Sequence, residues 1–209
     1  MKLLIIAPIH DYPTTLSNKA VRVLIKFIEA HKIEYDFLTS IKANRFYVNR
    51  KAKKNKYDGV FYYGHGQEDR LGDWAMQILP IIDKRNIHLF RDSIFYTMSC
   101  LSGKELAQIA INEGVRSYFG HNVRYFAFAN NLKTDYDFFD DWVKLVNYIP
   151  KRLILGDTTG AALRKYESFA NSIFANYLLH DKNNNLKLLY SNALHLELFG
   201  DITATLPKS

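Results

Sequence analysis

The 209-residue chain reads as an α/β protein with a mostly parallel central sheet and helices on both faces, and three observations lead there. Short continuous apolar runs recur along the sequence, segments with helical apolar spacing separate them, and the connections are long enough to be crossover helices. Unbroken apolar runs, as opposed to alternating ones, are what strands covered on both faces require.

The first run, KLLIIAP (Lys2 to Pro8), is a buried strand followed by a turn, HDYPTT. From Leu16 to Ala30 the apolar positions Leu16, Ala20, Val23, Leu24, Phe27 and Ile28 repeat as on one helix face. A second strand spans Glu34 to Thr39 and a third Asp58 to Tyr63. Trp74 to Asp83 reads as a short helix interrupted by Pro80, whose ring removes a backbone donor. Strand four is Ser93 to Met98, a helix runs from near Gly103 to Gly114, and strand five is Val115 to Gly120. Helices over Asp135 to Tyr148 and Thr158 to Leu179 follow, then an asparagine-rich turn and the strand-like KLLYS and ALHLELFGD. No linker or internal repeat divides these elements, so residues 1–209 are expected to form a single domain.

Composition supports a sizeable core: 48% of residues are hydrophobic, and only 5 are prolines. The opening MKLLIIAPIHDYP is too short in apolar residues for a secretory leader, and no stretch approaches the ~18 apolar residues of a membrane span, so a soluble chain with no membrane partner is expected. The one cysteine cannot form an intramolecular disulfide, which suits a reducing compartment, the cytoplasm. The net charge of +7 is partly concentrated in RFYVNRKAKKNKYD, where Arg45, Arg50, Lys51, Lys53, Lys54 and Lys56 interleave with Phe46 and Tyr47. Such a run either meets phosphate or forms a solvated helix face; a nucleic-acid partner is the less expected of the two.

Two strand endings carry the chemistry. GVFYYGHG sets His65 just past one apolar run, and SIFYTMSC sets Cys100 just past the next. In open α/β sheets ligands sit outside the carboxyl ends of the strands, so both residues are expected on one rim. Neighbouring strands lie ~5 Å apart, which brings an imidazole within reach of a thiol. The imidazole would stabilise the thiolate and later protonate a leaving amine. Gly66 carries no side chain, and its amide together with that of Cys100 is expected to form an oxyanion hole. Each residue has a plainer reading: a cysteine at a strand end is commonly a small buried hydrophobe, and Gly-His-Gly an ordinary turn.

FYYGHG and FYTMSCLSG resemble the paired motifs of the caspase-like cysteine peptidases, the superfamily of caspases, metacaspases, gingipains, clostripain, separase and CHAT-domain proteins. GDTTGAALRKY (Gly156 to Tyr166) is similar to a helix opening of CHAT and gingipain-type members, and LELFGDITATL (Leu196 to Leu206) to the terminal strand of gingipain-type domains. The resemblance implies a three-layer caspase-like sandwich of strand order near 2-1-3-4-5. It also implies a Cys100–His65 dyad that cleaves peptide bonds in a protein or peptide substrate without cofactor or metal. The position two residues before the cysteine, a glutamine or aspartate in several relatives, is Met98 here, which implies a pocket that is apolar or shaped by other loops. Asp11, Asp69 and Asp73 are candidates for an acid at the rim, and His121 and Asn122, with the VRYFAFAN stretch after them, for a cleft wall. A third member behind His65 is not identifiable from sequence. The remaining histidines show no spacing for a metal site. A propeptide is not recognisable, which points to an activating partner protein as a means of control. The alternative to an endopeptidase is a catalytically silent caspase-like module that meets an anionic partner through residues 45–56.

Overall fold

The computed structural model describes residues 1–72, 80–124, 136–180 and 192–208. In chain order the elements are β1 (Lys2–Ala7), α1 (Tyr12–Ala30), β2 (Glu34–Thr39), α2 (Arg45–Lys54), β3 (Gly59–Tyr63), β4 (Gly66–Gln67), β5 (Arg70–Leu71), β6 (Ile82–Asp83), β7 (Ile94–Met98), α3 (Glu105–Asn112), β8 (Ser117–His121), α4 (Tyr136–Val146), α5 (Tyr148–Ile154), α6 (Thr159–His180) and β9 (Leu196–Gly200). β2, β1, β3, β7, β8 and β9 pair in that order into a six-stranded sheet, parallel throughout except for β9, which runs antiparallel to β8. The expected order 2-1-3-4-5 holds, with one antiparallel strand added at the far edge.

The apolar runs form strands because both faces of the sheet are covered. Leu3, Ile5, Phe61, Tyr63, Tyr96 and Met98 pack on the side of α1, α4, α5 and α6. Leu4, Ile6, Val60, Tyr62, Phe95 and Tyr118 pack against α2 and α3. Neighbouring residues of one strand therefore go to opposite cores, which is why each run is continuously apolar. Among the described residues no helix is long and apolar enough to cross a membrane.

Three elements differ from expectation. α1 starts at Tyr12, inside the expected turn, because Asp11 caps it: its side chain accepts from the Thr14 amide while the Thr14 hydroxyl reaches back to the Asp11 amide. Pro13 is tolerated there because first-turn amides have no intrahelical partner. The expected helix over Asp135 to Tyr148 is instead two helices that part at Asn147, a fully buried residue. Its amide nitrogen donates to the Ala20 carbonyl and its carbonyl oxygen accepts from the Tyr63 hydroxyl, so tertiary bonds take the place of local ones. Finally, Ile82 and Asp83, expected at the end of a helix, form β6 in a small antiparallel sheet β4-β5-β6. Pairing with β5 sets their conformation, and Ile82 is fully buried in the core on the α2 and α3 side. Residues 73–79, with Asp73 and the start of the expected helix at Trp74, the KLLYS segment, and residues 125–130 of VRYFAFAN lie outside the described residues.

Candidate active site

β3 and β7 are parallel neighbours with Tyr63 opposite Met98, and the Gly64 amide donates to the Met98 carbonyl at 3.2 Å just past the last pair. His65 and Cys100 follow those residues at equal distance along two adjacent strands, and both are half-buried. The loops that carry them are in van der Waals contact. A Cβ on Gly66 would stand 2.7 Å from the Cys100 carbonyl oxygen and 2.9 Å from the Ser99 side chain, so only glycine allows this approach.

The His65 loop is held by its own strand. The Tyr62 hydroxyl donates to the His65 carbonyl at 2.8 Å, the Gly72 amide donates to the same oxygen at 3.1 Å, and β4 and β5 make a hairpin. The side chain is oriented by a residue from the loop after the neighbouring strand β1: His65 Nε2 lies 2.6 Å from Asp11 Oδ2. The two carboxylate oxygens of Asp11 divide their work, since Oδ1 accepts from the Thr14 amide at 2.9 Å and its hydroxyl at 2.7 Å. Partial desolvation pushes the Asp11 carboxyl up, but the hydrogen bonds from Thr14 and the charge and hydrogen bond of His65 outweigh it and hold the group below the usual carboxylate range. An ionised carboxylate only accepts, so the proton in this pair sits on Nε2, and a neutral ring then carries its lone pair on Nδ1.

The Cys100 turn is strained and then tied down. Leu101 has φ 53°, a left-handed conformation that a branched residue rarely adopts. Around it the Leu101 amide donates to the Val123 carbonyl and the Gly103 amide to the His121 carbonyl, each at 2.9 Å. Beneath, the hydroxyls of Ser102 and Thr97 are 2.7 Å apart, and Thr97 donates to the Phe119 carbonyl at 2.9 Å. The helix after the cysteine opens at Glu105 and not at Gly103; it lacks a side-chain cap. The His65 loop caps it instead: the Leu106 amide donates to the Glu68 carbonyl at 2.7 Å, and Lys104 Nζ lies 2.5 Å from Glu68 Oε1.

Of the rim candidates, Asp11 thus stands against His65 and supplies the partner that sequence did not identify. Asp69 forms a two-point pair with Arg70. Met98 is 2% exposed and belongs to the core on the α1 side, so its side chain faces packed apolar groups. His121 is 2% exposed; burial is the main cause that drives its ring down to about 3, which keeps it neutral. The Asn122 amide donates to Glu197. Asp11 and His65 lie 54 residues apart, but the Asp-x-x-Thr capping pattern was a readable local signal for where Asp11 would be held. Glu68 and Lys104 carried no such signal. Among the described residues no group of three or more His, Cys, Asp or Glu side chains lies close enough to hold a metal ion.

This arrangement defines a caspase-like α/β fold. Solved structures with the same fold include the Arg-specific cysteine proteinase gingipain R (RgpB), at TM-score 0.64 and 12% identity over 98% of this chain. They also include the complex of the RgpB pro- and mature domains from Porphyromonas gingivalis, at TM-score 0.61 and 11% identity over 98% of this chain. A further structure, of a protease, aligns at TM-score 0.56 and 12% identity over 100% of this chain. The chain spans about half the length of each, covering 47%, 48% and 48% of them respectively. No family model and no curated protein matches the sequence.

Proposed function

We propose that the chain is a cysteine endopeptidase in which Cys100 is the nucleophile, His65 the general acid and base, and Asp11 the residue that orients His65. The observation that carries this reading is the contact of the two loops, Gly66 against the Cys100 backbone, at the ends of paired parallel strands. With Nε2 committed to Asp11, Nδ1 is the nitrogen that exchanges a proton with the thiol. The Cys100 thiolate attacks the scissile carbonyl carbon, and the developing oxyanion accepts from the amides of Gly66 and Cys100. Collapse of that intermediate breaks the C–N bond as His65 protonates the leaving amine; water, deprotonated by His65, then hydrolyses the thioester.

The 209 residues act in this reading as one catalytic domain on a protein or peptide substrate. A nucleophile that must remain a thiol suits the cytoplasm. Gingipain R is described as Arg-specific; among the described residues the candidate rim acids are engaged internally, Asp11 by His65 and Asp69 by Arg70, so specificity for a basic residue is not carried over to this chain.

The test is the rate of Cys100 alkylation by iodoacetamide as a function of pH. The expected result is a reaction faster than that of free cysteine below pH ~8 that slows on His65→Ala. A wild-type rate equal to that of free cysteine, unchanged by His65→Ala, would reject the proposal.

A further inference from the structure

The basic segment is helical, and its exposed face has a direction. Phe46, Arg50, Lys53 and Lys54 occupy positions i, i+4, i+7 and i+8 of α2 and all point outward, with Phe46 67% exposed. Lys56 continues the line past the helix end, and Ile41, 80% exposed, precedes it.

The acids that pack near α2 are already engaged. Asp36 binds Lys51, Asp83 binds Arg45 and Arg85, and Glu34 binds Lys2. Arg50, Lys53, Lys54 and Lys56 have no carboxylate within ion-pair distance among the described residues, although the inner cations of the same helix are matched. This leaves a block of uncompensated positive charge on one face.

Topology gives the block its orientation. β2 runs parallel to β1, with Ala7 opposite Thr39, so Ile41 and Phe46 lie at the same rim as His65 and Cys100. α2 then returns toward the start of β3, which carries Lys53, Lys54 and Lys56 to the opposite end of the strands over ~15 Å of helix. The rim end carries the exposed apolar side chains Ile41 and Phe46, beside Lys42 and the Arg45–Asp83–Arg85 cluster, and the far end carries the cations that have no carboxylate partner among the described residues.

From this polarity we infer that α2 is a docking face for a polypeptide substrate that carries an apolar residue followed by an acidic run, the apolar side chain seated at Ile41 and Phe46. The inference rests on the peptidase reading for its link to cleavage. A nucleic-acid backbone presents uniform charge with nothing to cover Ile41. A membrane-surface helix inserts a continuous apolar face, and the apolar positions of α2, Val48 and Ala52, are already buried in the core. A polypeptide matches both halves in sequence.

The experiment uses full-length Cys100→Ala protein, which binds without cutting, and two fluorescein-labelled peptides: a glutamate run led by leucines and a run of glutamates alone. The expected result is tighter binding of the leucine-led peptide, weakened on the order of tenfold by K53E/K54E, with a flatter salt dependence. Phe46→Ser should erase the preference for the leucine-led peptide. K53Q/K54Q serves if the charge reversal perturbs folding by circular dichroism. Equal binding of the two peptides, no loss on neutralising the lysines, or tighter retention of duplex DNA or phosphatidylserine vesicles by the same residues would overturn the inference. Alkylation of the wild-type cysteine reports separately on the peptidase reading, so either can fail while the other stands.

Discussion

Asp11 holds two posts with one carboxylate, and the two can be separated. Oδ1 caps α1 through Thr14, and Oδ2 faces His65. Asparagine caps a helix nearly as well as aspartate but carries no charge, whereas alanine loses both functions. Asp11→Asn should keep the cap, lower the urea midpoint at neutral pH only by the lost charge contribution and slow Cys100 alkylation, while Asp11→Ala should in addition lose the cap, about 1 kcal/mol. Equal alkylation rates in wild type and Asp11→Asn would show that the carboxylate does not orient His65. The same group sets a pH signature. Its folded pKa lies below its unfolded value, so its contribution is complete above pH ~4 and is lost as pH falls through the lower folded value. Acid titration followed by circular dichroism should therefore show a steeper stability loss below pH ~4 in wild type than in Asp11→Asn.

At the scale of elements, the two loops are coupled through α3. That helix has no side-chain cap of its own, and its Leu106 amide is satisfied by the Glu68 carbonyl three residues beyond His65. The Glu68–Lys104 pair clips the same contact, although both side chains are nearly half exposed, 46% and 45%. Pairs this exposed contribute little to global stability, about 0–1 kcal/mol, and salt screens them. Glu68→Ala should thus leave the unfolding midpoint nearly intact, speed hydrogen exchange at the Leu106 amide and slow alkylation of Cys100. The charge swap E68K/K104E should restore both. If exchange at Leu106 is unchanged in Glu68→Ala, the side-chain pair does not hold the loops. Such contacts were invisible in the sequence because two-residue strands such as β4 and β5 have no periodicity to read, and Glu68 to Lys104 is a pairing between two loops 36 residues apart in the chain. The helix break at Asn147 escaped for a similar reason: its cause is the Tyr63 hydroxyl and the Ala20 carbonyl, far away in the chain.

For the whole molecule, the parallel strands were legible because burial on both faces writes itself as unbroken apolar runs, and His65 and Cys100 stood out as what comes directly after two of them. What closes the sheet was less legible, since β9 alternates as LELFG, with Leu196 buried but Glu197 exposed, and its antiparallel direction follows from the return of α6. The tail beyond β9 does more than protect an edge. The carbonyls of Ala204 and Ile202 accept from the first amides of α6, Thr159 at 2.9 Å and Gly160 at 2.8 Å, and that of Asp201 accepts from the Ser117 hydroxyl at 2.5 Å. Ala204 and Leu206 are core residues, 0% and 3% exposed. Deleting residues 196–208 would therefore bare the edge of β8, a strand that is buried along its whole length, and uncap α6 at the same time. An unpaired apolar edge is a template for another chain. The truncated protein should aggregate on expression or lose its cooperative thermal transition, even though the deletion leaves His65, Cys100 and Asp11 in place. A soluble truncation with a wild-type melting curve would mean that the sheet is complete at β8.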